Sequence, residues 1–265
     1  MLESADLERR FGGLARLYGG EGAANIRTAH VVVVGIGGVG SWAAEALARS
    51  GIARLTLIDL DHIAESNINR QIHALGSTLG QSKVEAMRER IEDINPDCQV
   101  RCIEEFVDAE NWPGIAQLKL GNEVSVIDAC DQVKAKTAMA AWAINNKASF
   151  ITVGAAGGKR HAHKVDIDDL SLTTHDPLLA QLRYRLRKAH GGARQGRLGV
   201  NCVFSRESVA QPTANPDETL TDNSLNCHGY GSVVSVTATF GICAAGWLLG
   251  KIADGGFEKK RKTAL

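Results

Sequence analysis

The 265-residue chain contains no C-x-x-C, and its six cysteines stand at 98, 102, 130, 202, 227 and 243. A structural tetracysteine zinc site is therefore not expected. Net charge is also missing: 30 Lys and Arg offset 30 Asp and Glu, so the chain as a whole carries no general nucleic-acid coat. A secretory leader is lacking too, and with an even but unpaired cysteine set this reads as reduced thiols and a cytoplasmic location. With 44% hydrophobic residues the chain can bury a sizeable core, as one large domain or as one domain with an appended lobe.

What is present is concentrated between residues 30 and 71. His30-Val-Val-Val-Val-Gly35-Ile-Gly37-Gly38-Val-Gly40 is followed by Leu57-Ile-Asp59-Leu-Asp61 and then by Ser66-Asn67-Ile-Asn69-Arg70-Gln71. Glycines at 35, 37 and 40 allow a tight strand-to-helix turn, close approach of backbone to phosphate and close helix packing. The helix opening near Ser41 would aim unpaired N–H groups at that phosphate. Asp59, at the end of the second strand, stands where a carboxylate accepts from both ribose hydroxyls. Strand, glycines, helix and acid in this order point to an adenine nucleotide.

A hydride-transfer enzyme would share those features, but it does not need two amides and a cation beyond the ribose acid, or Lys83 opening the next amphipathic helix. Chemistry on ATP does, because a second anion must approach the triphosphate. Two unit charges at about 4 Å repel by about 4 kcal/mol at an effective dielectric of about 20, or roughly three decades in rate. Arg70, Lys83 and a metal ion would offset that repulsion. Each residue also has a plainer reading: Asn67 as a turn former, Arg70 as a solvated cation, Lys83 as a helix-surface residue, Asp131 as a strand-end cap.

These residues resemble the adenylyltransferases related to ubiquitin-activating enzymes, which include the activators of sulfur-carrier proteins. The family pattern of glycine loop, D-x-D, S/N-N-x-x-R-Q, lysine and a later aspartate is matched by Gly35, Gly37, Gly38 and Gly40, Asp59 and Asp61, Asn67 and Arg70-Gln71, Lys83, and Asp131. The resemblance implies that Asp59 holds the ribose, that Asn67, Arg70 and Lys83 hold the phosphates of ATP, and that Asp131 holds magnesium. Arg9 to Gly19, Val153 to Lys159, Leu198-Gly199-Val200 and Asn226 to Ser232 are similar to the branch that dehydrates threonylcarbamoyladenosine in tRNA. For that branch the resemblance implies adenylation of the threonyl carboxylate, ring closure by the substrate's own urea group, and release of AMP. It also implies a homodimer and a link to a cysteine desulfurase and its sulfur acceptor. The sulfur-carrier activators usually carry paired C-x-x-C zinc ligands, which this chain lacks. They also insert an arm arginine into the partner's ATP site; counted from Arg10 that position is Gly13, leaving Arg16 or Arg9 for the role.

Elsewhere the pattern predicts a doubly wound, Rossmann-like α/β fold with a mostly parallel sheet and an appended C-terminal lobe. Strands are expected at Val31 to Val34, Arg54 to Ile58, Gln99 to Ile103, Val124 to Ile127 and Phe150 to Val153, and helices at Ser41 to Arg49, Lys83 to Ile94 and Lys134 to Asn146. The division is an N-terminal helical arm over 1–28, an ATP-binding domain over 29–160, and a part for tRNA, substrate and dimerisation over 161–265. After residue 160 the alternation fades, and Ser205 to Asn226 reads as a mobile loop or lid. Cys227, between Asn226 and His228, is a candidate nucleophile or persulfide carrier, or a packed thiol. Arg183, Arg185, Arg187 and Lys188, with His190, Arg194 and Arg197 around Tyr184, form a candidate tRNA contact. Residues 229–250 carry no charge and are long enough to cross a bilayer, but Ser, Thr and Gly dilute them. A buried helix is favoured there over membrane association.

Overall fold

A computed structural model describes residues 6–118, 124–210 and 230–255. Strands and helices alternate as β1 (His30–Val34), α3 (Gly40–Ala48), β2 (Arg54–Ile58), α4 (Lys83–Ile94), β3 (Gln99–Ile103), β4 (Val124–Asp128), α5 (Val133–Asn146) and β5 (Ser149–Val153). Each lies within one residue, at either end, of the span expected from the valine-rich runs and the helical spacing. Ahead of them stand α1 (Leu7–Phe11) and α2 (Gly13–Thr28), which bends where Gly19 leaves helical geometry at φ 74°.

Beyond residue 160 come β6 (Val165–Asp169), α6 (Pro177–Ala189), β7 (Asn201–Ser205) and α7 (Val234–Ala253). The fading alternation did not reveal β6 and β7. They extend the same sheet, whose order is β3-β2-β1-β4-β5-β7-β6, with only β6 antiparallel to its neighbour. Asp166, Asp168 and Asp169 on β6, an edge strand, break the apolar signature by which a buried strand is recognised.

Both faces of the sheet are covered. Val31 and Val33 pack with α3, α4 and α7, while Val32 and Val34 pack with α5 and α6. Alternate side chains of one strand thus feed two cores, the reason for its continuous valine run. The α7 helix is long and apolar enough to cross a membrane, yet half of its most apolar stretch is buried. Val236, Phe240, Ala244 and Leu248 form its buried stripe, each large apolar member contributing about 1.5–3 kcal/mol. A Cβ on Gly241 would come 2.3 Å from the Val39 carbonyl oxygen, so glycine there lets α7 press against the start of α3.

Strands β1 and β4 are parallel neighbours from which the strand order runs outward in opposite directions, and a ligand crevice is expected beyond their carboxyl ends. The cavity lies there.

Candidate active site

A cavity of about 350 Å³ opens at that switch point. Gly35, Gly37, Gly38, Asp59, Asp61, Asn67, Arg70, Gln71, Lys83 and Asp131 all line it, so residues spread over about a hundred positions meet as the motif implied. Gly40 is the exception. A Cβ there would stand 1.7 Å from the Gly35 carbonyl oxygen, so this glycine lets α3 start directly against the end of β1. Gly35 itself has φ 85°, and a side chain on it would collide with the backbone of Ala129 and Cys130.

Asp59 ends β2 and is fixed at both oxygens: Oδ2 accepts from the Ile36 N–H at 2.6 Å and Oδ1 from the Asp61 N–H at 2.9 Å. Burial pushes its carboxyl above the ordinary range against the pull of Lys83. Lys83, buried at the start of α4, donates through Nζ to Asp61 Oδ2 at 2.6 Å. The helix-surface reading of this lysine is therefore overturned.

Arg70 is likewise no solvated cation, being 8% exposed. Its Nη1 donates to the Ser66 carbonyl at 2.7 Å and to Asn69 Oδ1 at 3.0 Å, and its own carbonyl accepts from Trp42 Nε1 at 2.9 Å. Asn67 combines two roles: Oδ1 accepts from the Ala64 N–H at 3.0 Å, closing a turn, while the residue faces the cavity. Gln71 adds a buried Oε1 with no hydrogen-bond partner among the described residues.

The opposite wall is less apparent from the sequence. The strand-end cap that was the plainer reading of Asp131 belongs instead to Asp128, whose Oδ1 accepts from the Cys130 N–H at 3.2 Å. Asp131 is left exposed on the cavity wall, its carboxylate tied by no hydrogen bond or ion pair among the described residues. Asp128 is fully buried and ion-paired to Lys136 Nζ at 3.1 Å. Lys136 was missed in the sequence, and the one signal for it is that it shares the face of α5 with buried Ala140 and Ala143, an odd place for a lysine without a partner.

The far side of the cavity is built from backbone: Gly154, Ala155, Ala156 and Gly157, with Leu178 behind. Asp176 caps α6, accepting from the Leu179 N–H at 2.9 Å through Oδ1 and from the Ala155 N–H at 2.9 Å through Oδ2. The pair Asp176-Pro177 is a readable helix start. Lys159, buried, donates to the carbonyls of His175 and Glu207 and so ties the end of this wall to α6 and β7.

The tRNA candidates on α6 separate into two kinds. Arg183 Nη1 donates to the carbonyls of Leu170 and Thr173 at 2.9 and 3.1 Å, and Arg187 Nε to the Ala193 carbonyl at 3.1 Å. Both are anchored within the fold. Arg185 and Lys188 are exposed, Lys188 Nζ lying 5.5 Å from the centre of the exposed Tyr184 ring. Cys227 lies outside the described residues, as does most of the loop expected over Ser205 to Asn226.

The profile of the ThiF family matches residues 11–262. The chain belongs to the ThiF family. Within it, the chain is 44% identical over 255 residues to tRNA threonylcarbamoyladenosine dehydratase of Escherichia coli, covering 92% of this chain and 93% of that one. Against the Haemophilus influenzae protein of the same name it is 43% identical, covering 92% and 94%. The crystal structure of the E. coli protein in complex with ATP superposes with a TM-score of 0.84 at 42% identity, over 97% of this chain and 98% of that one. The molybdopterin-synthase adenylyltransferase of Salmonella typhimurium is 34% identical but reaches only 51% of this chain and 53% of that one.

Proposed function

We propose that this chain is an ATP-dependent dehydratase that adenylates the threonyl carboxylate of threonylcarbamoyladenosine beside a tRNA anticodon and so drives its cyclisation. The observation that carries this reading is the convergence, at one switch point, of a fixed acid at the end of β2, two buried cations and an untethered carboxylate. A carboxylate oxygen of the substrate attacks the α-phosphorus of ATP and pyrophosphate leaves. Lys83 and Arg70 offset the repulsion between the two anions. The urea oxygen or nitrogen of the substrate then attacks the acyl carbon, and AMP departs with the former carboxylate oxygen. The substrate has lost water, and ATP has become AMP and pyrophosphate.

Ring closure within one molecule needs no enzyme nucleophile, since its effective molarity is already high. The cavity's own thiol is unsuited to that role: burial, reinforced by the Asp128 carboxylate, holds Cys130 well above the ordinary thiol range. Because ring closure is intramolecular, Cys227→Ala is expected to keep substantial cyclising activity. Loss of cyclisation with adenylation intact would establish a covalent route.

Among the described residues no three His, Cys, Asp or Glu gather as a metal cage. That suits magnesium beside a triphosphate, which takes one or two carboxylates and fills its shell with phosphate oxygens and water. Asp131 is the carboxylate we assign to it, and the ion would neutralise charge on the transferring phosphate. Arg185 and Lys188 would contact the tRNA. A homodimer, cytoplasmic location, and a cysteine desulfurase with its sulfur acceptor as partners complete the proposal, with the 161–265 part carrying tRNA binding and dimerisation.

ATP–pyrophosphate exchange with added tRNA tests it. Exchange that requires tRNA carrying threonylcarbamoyladenosine is expected. Exchange that requires a carrier protein with a diglycine tail would make the chain a sulfur-carrier activator, and none with either would make it a nucleotide-binding scaffold.

A further inference from the structure

We infer that Asp128, Lys136 and Thr152 form a positioning unit that holds the turn bearing Asp131 against the β5 wall of the cavity. The inference rests on the proposed function for what that turn does, and on geometry alone for what holds it.

The Asp128 carboxylate, fully buried at the end of β4, receives four donors. Two come from the turn itself: the N–H and the thiol of Cys130, at 3.2 and 3.1 Å from Oδ1. The other two reach Oδ2, the Thr152 hydroxyl at 2.6 Å from β5 and the Lys136 ammonium at 3.1 Å from α5. Lys136 closes the arrangement by bonding to Thr152 Oγ1 at 3.0 Å. One carboxylate thus joins the exit of β4, the exit of β5 and the first turn of α5.

A pair needed only to fill the core could be replaced by apolar residues at little or no cost, because desolvation of two buried charges cancels much of their attraction. What apolar residues cannot supply is direction. Both donors on Oδ1 belong to Cys130, adjacent to Asp131, so the carboxylate sets the path of the turn and the direction in which Asp131 leaves it. Gly35, whose Cβ position lies 2.8 Å from the Cys130 nitrogen, presses on the same turn from the nucleotide side. The turn is held between the glycine loop and the buried carboxylate.

Thr152→Val tests this with little change in volume, removing one donor and leaving the ion pair. Amide hydrogen exchange at residues 129–132 should quicken by about tenfold or more, as expected for loss of a hydrogen bond to a charged group. Exchange at residues 35–40 should be unchanged. The magnesium concentration giving half-maximal pyrophosphate exchange should rise by a similar factor, with magnesium-free ATP affinity preserved, and Thr152→Ser should restore both. Parental behaviour in Thr152→Val would overturn the inference. So would faster amide exchange spread evenly over the sheet, the mark of a merely structural hydroxyl. Were the parent inactive with modified tRNA, the proposed function would fall, while the amide exchange would still decide whether this unit holds the turn.

Discussion

Two lysine–aspartate pairs flank the same cavity, and they differ in their access to water. Lys83 and Asp61 stand 2.6 Å apart with the Asp61 side chain 54% exposed, whereas Lys136 and Asp128 stand 3.1 Å apart with both side chains at 0%. A partner in water costs little to give up. A partner in the core cannot be given up without stranding a charge. In the proposed function Lys83 would exchange Asp61 for a phosphate oxygen, with Asp61 keeping it oriented until then. Lys136 stays where it is, with burial pulling its ammonium down and Asp128 more than compensating, so that its affinity for the proton ends above the ordinary lysine value. One pair is a clamp and the other a brace.

The contrast breaks most sharply under Lys136→Met. That change leaves Asp128 buried and unpaired, and should destabilise the fold by about 3–5 kcal/mol. A urea midpoint within the equivalent of about 1 kcal/mol of the parent would erase the distinction. Lys83→Ala should do the reverse, lowering pyrophosphate exchange by two to three decades, or about 3–4 kcal/mol of transition-state stabilisation. Near-parental exchange in that variant would return Lys83 to a structural role.

The clamp was legible in the sequence and the brace was not, for a physical reason. The residues that line the cavity sit at strand ends and in the loops beyond them, where glycines, acids and amides interrupt the apolar pattern and mark themselves: Asp59 after Leu55-Thr56-Leu57-Ile58, Arg70 after Asn67. Lys136 interrupts nothing visible, since helices such as α5 carry lysines on their outer faces, and only the phase of Ala140 and Ala143 shows that this one points inward. Thr152 hides in a β-branched strand. Strands β1, β2, β4 and β5 could be read because both faces of the sheet are buried there and demand apolar, largely β-branched residues, whereas β3, at the other edge, alternates exposed Gln99 and Arg101 with half-buried Val100 and Cys102. Strand β6 sits at an edge that tolerates aspartates, which local composition cannot announce, and β7, though buried, offers only Cys202-Val203-Phe204 between Asn201 and Ser205, too short an apolar run to mark itself.

Behind the clamp, the buried His73 ring has neither nitrogen hydrogen-bonded among the described residues. Burial, followed by the charges of Lys83 and Arg90, lowers its pKa from 6.5 to about 4. The folded state binds the proton less readily than the unfolded chain, so the stability His73 contributes is present above pH 6.5 and drains away as pH falls toward 4. The loss should be on the order of 3 kcal/mol, at about 1.4 kcal/mol per unit of pKa difference. Urea titrations of the parent and of His73→Leu between pH 7 and 4 measure it. An acid limb equally steep in both would place the titrating group elsewhere.

The same distinction between anchored and free cations applies on α6, where the expected effects are smallest. Arg183 and Arg187 spend donors on backbone carbonyls, while Arg185 and Lys188 are exposed. Each phosphate no longer neutralised should flatten the plot of log affinity against log salt by about 0.7 to 0.9. Removing Arg185 and Lys188 together should therefore flatten it by about 1.4 to 1.8, with ATP affinity unchanged, because the cavity uses neither residue. Removing Arg183 and Arg187 should leave the slope nearly as it was and instead lower the melting temperature, since Arg183 ties α6 to the residues that follow β6. Filter binding of modified tRNA across a salt series separates the two outcomes. A slope that responds equally to both pairs would mean that the anchored arginines release their carbonyls when tRNA arrives. A slope that responds to neither would move the tRNA path off this helix, toward the exposed Arg160 and His161 beyond the β5 wall.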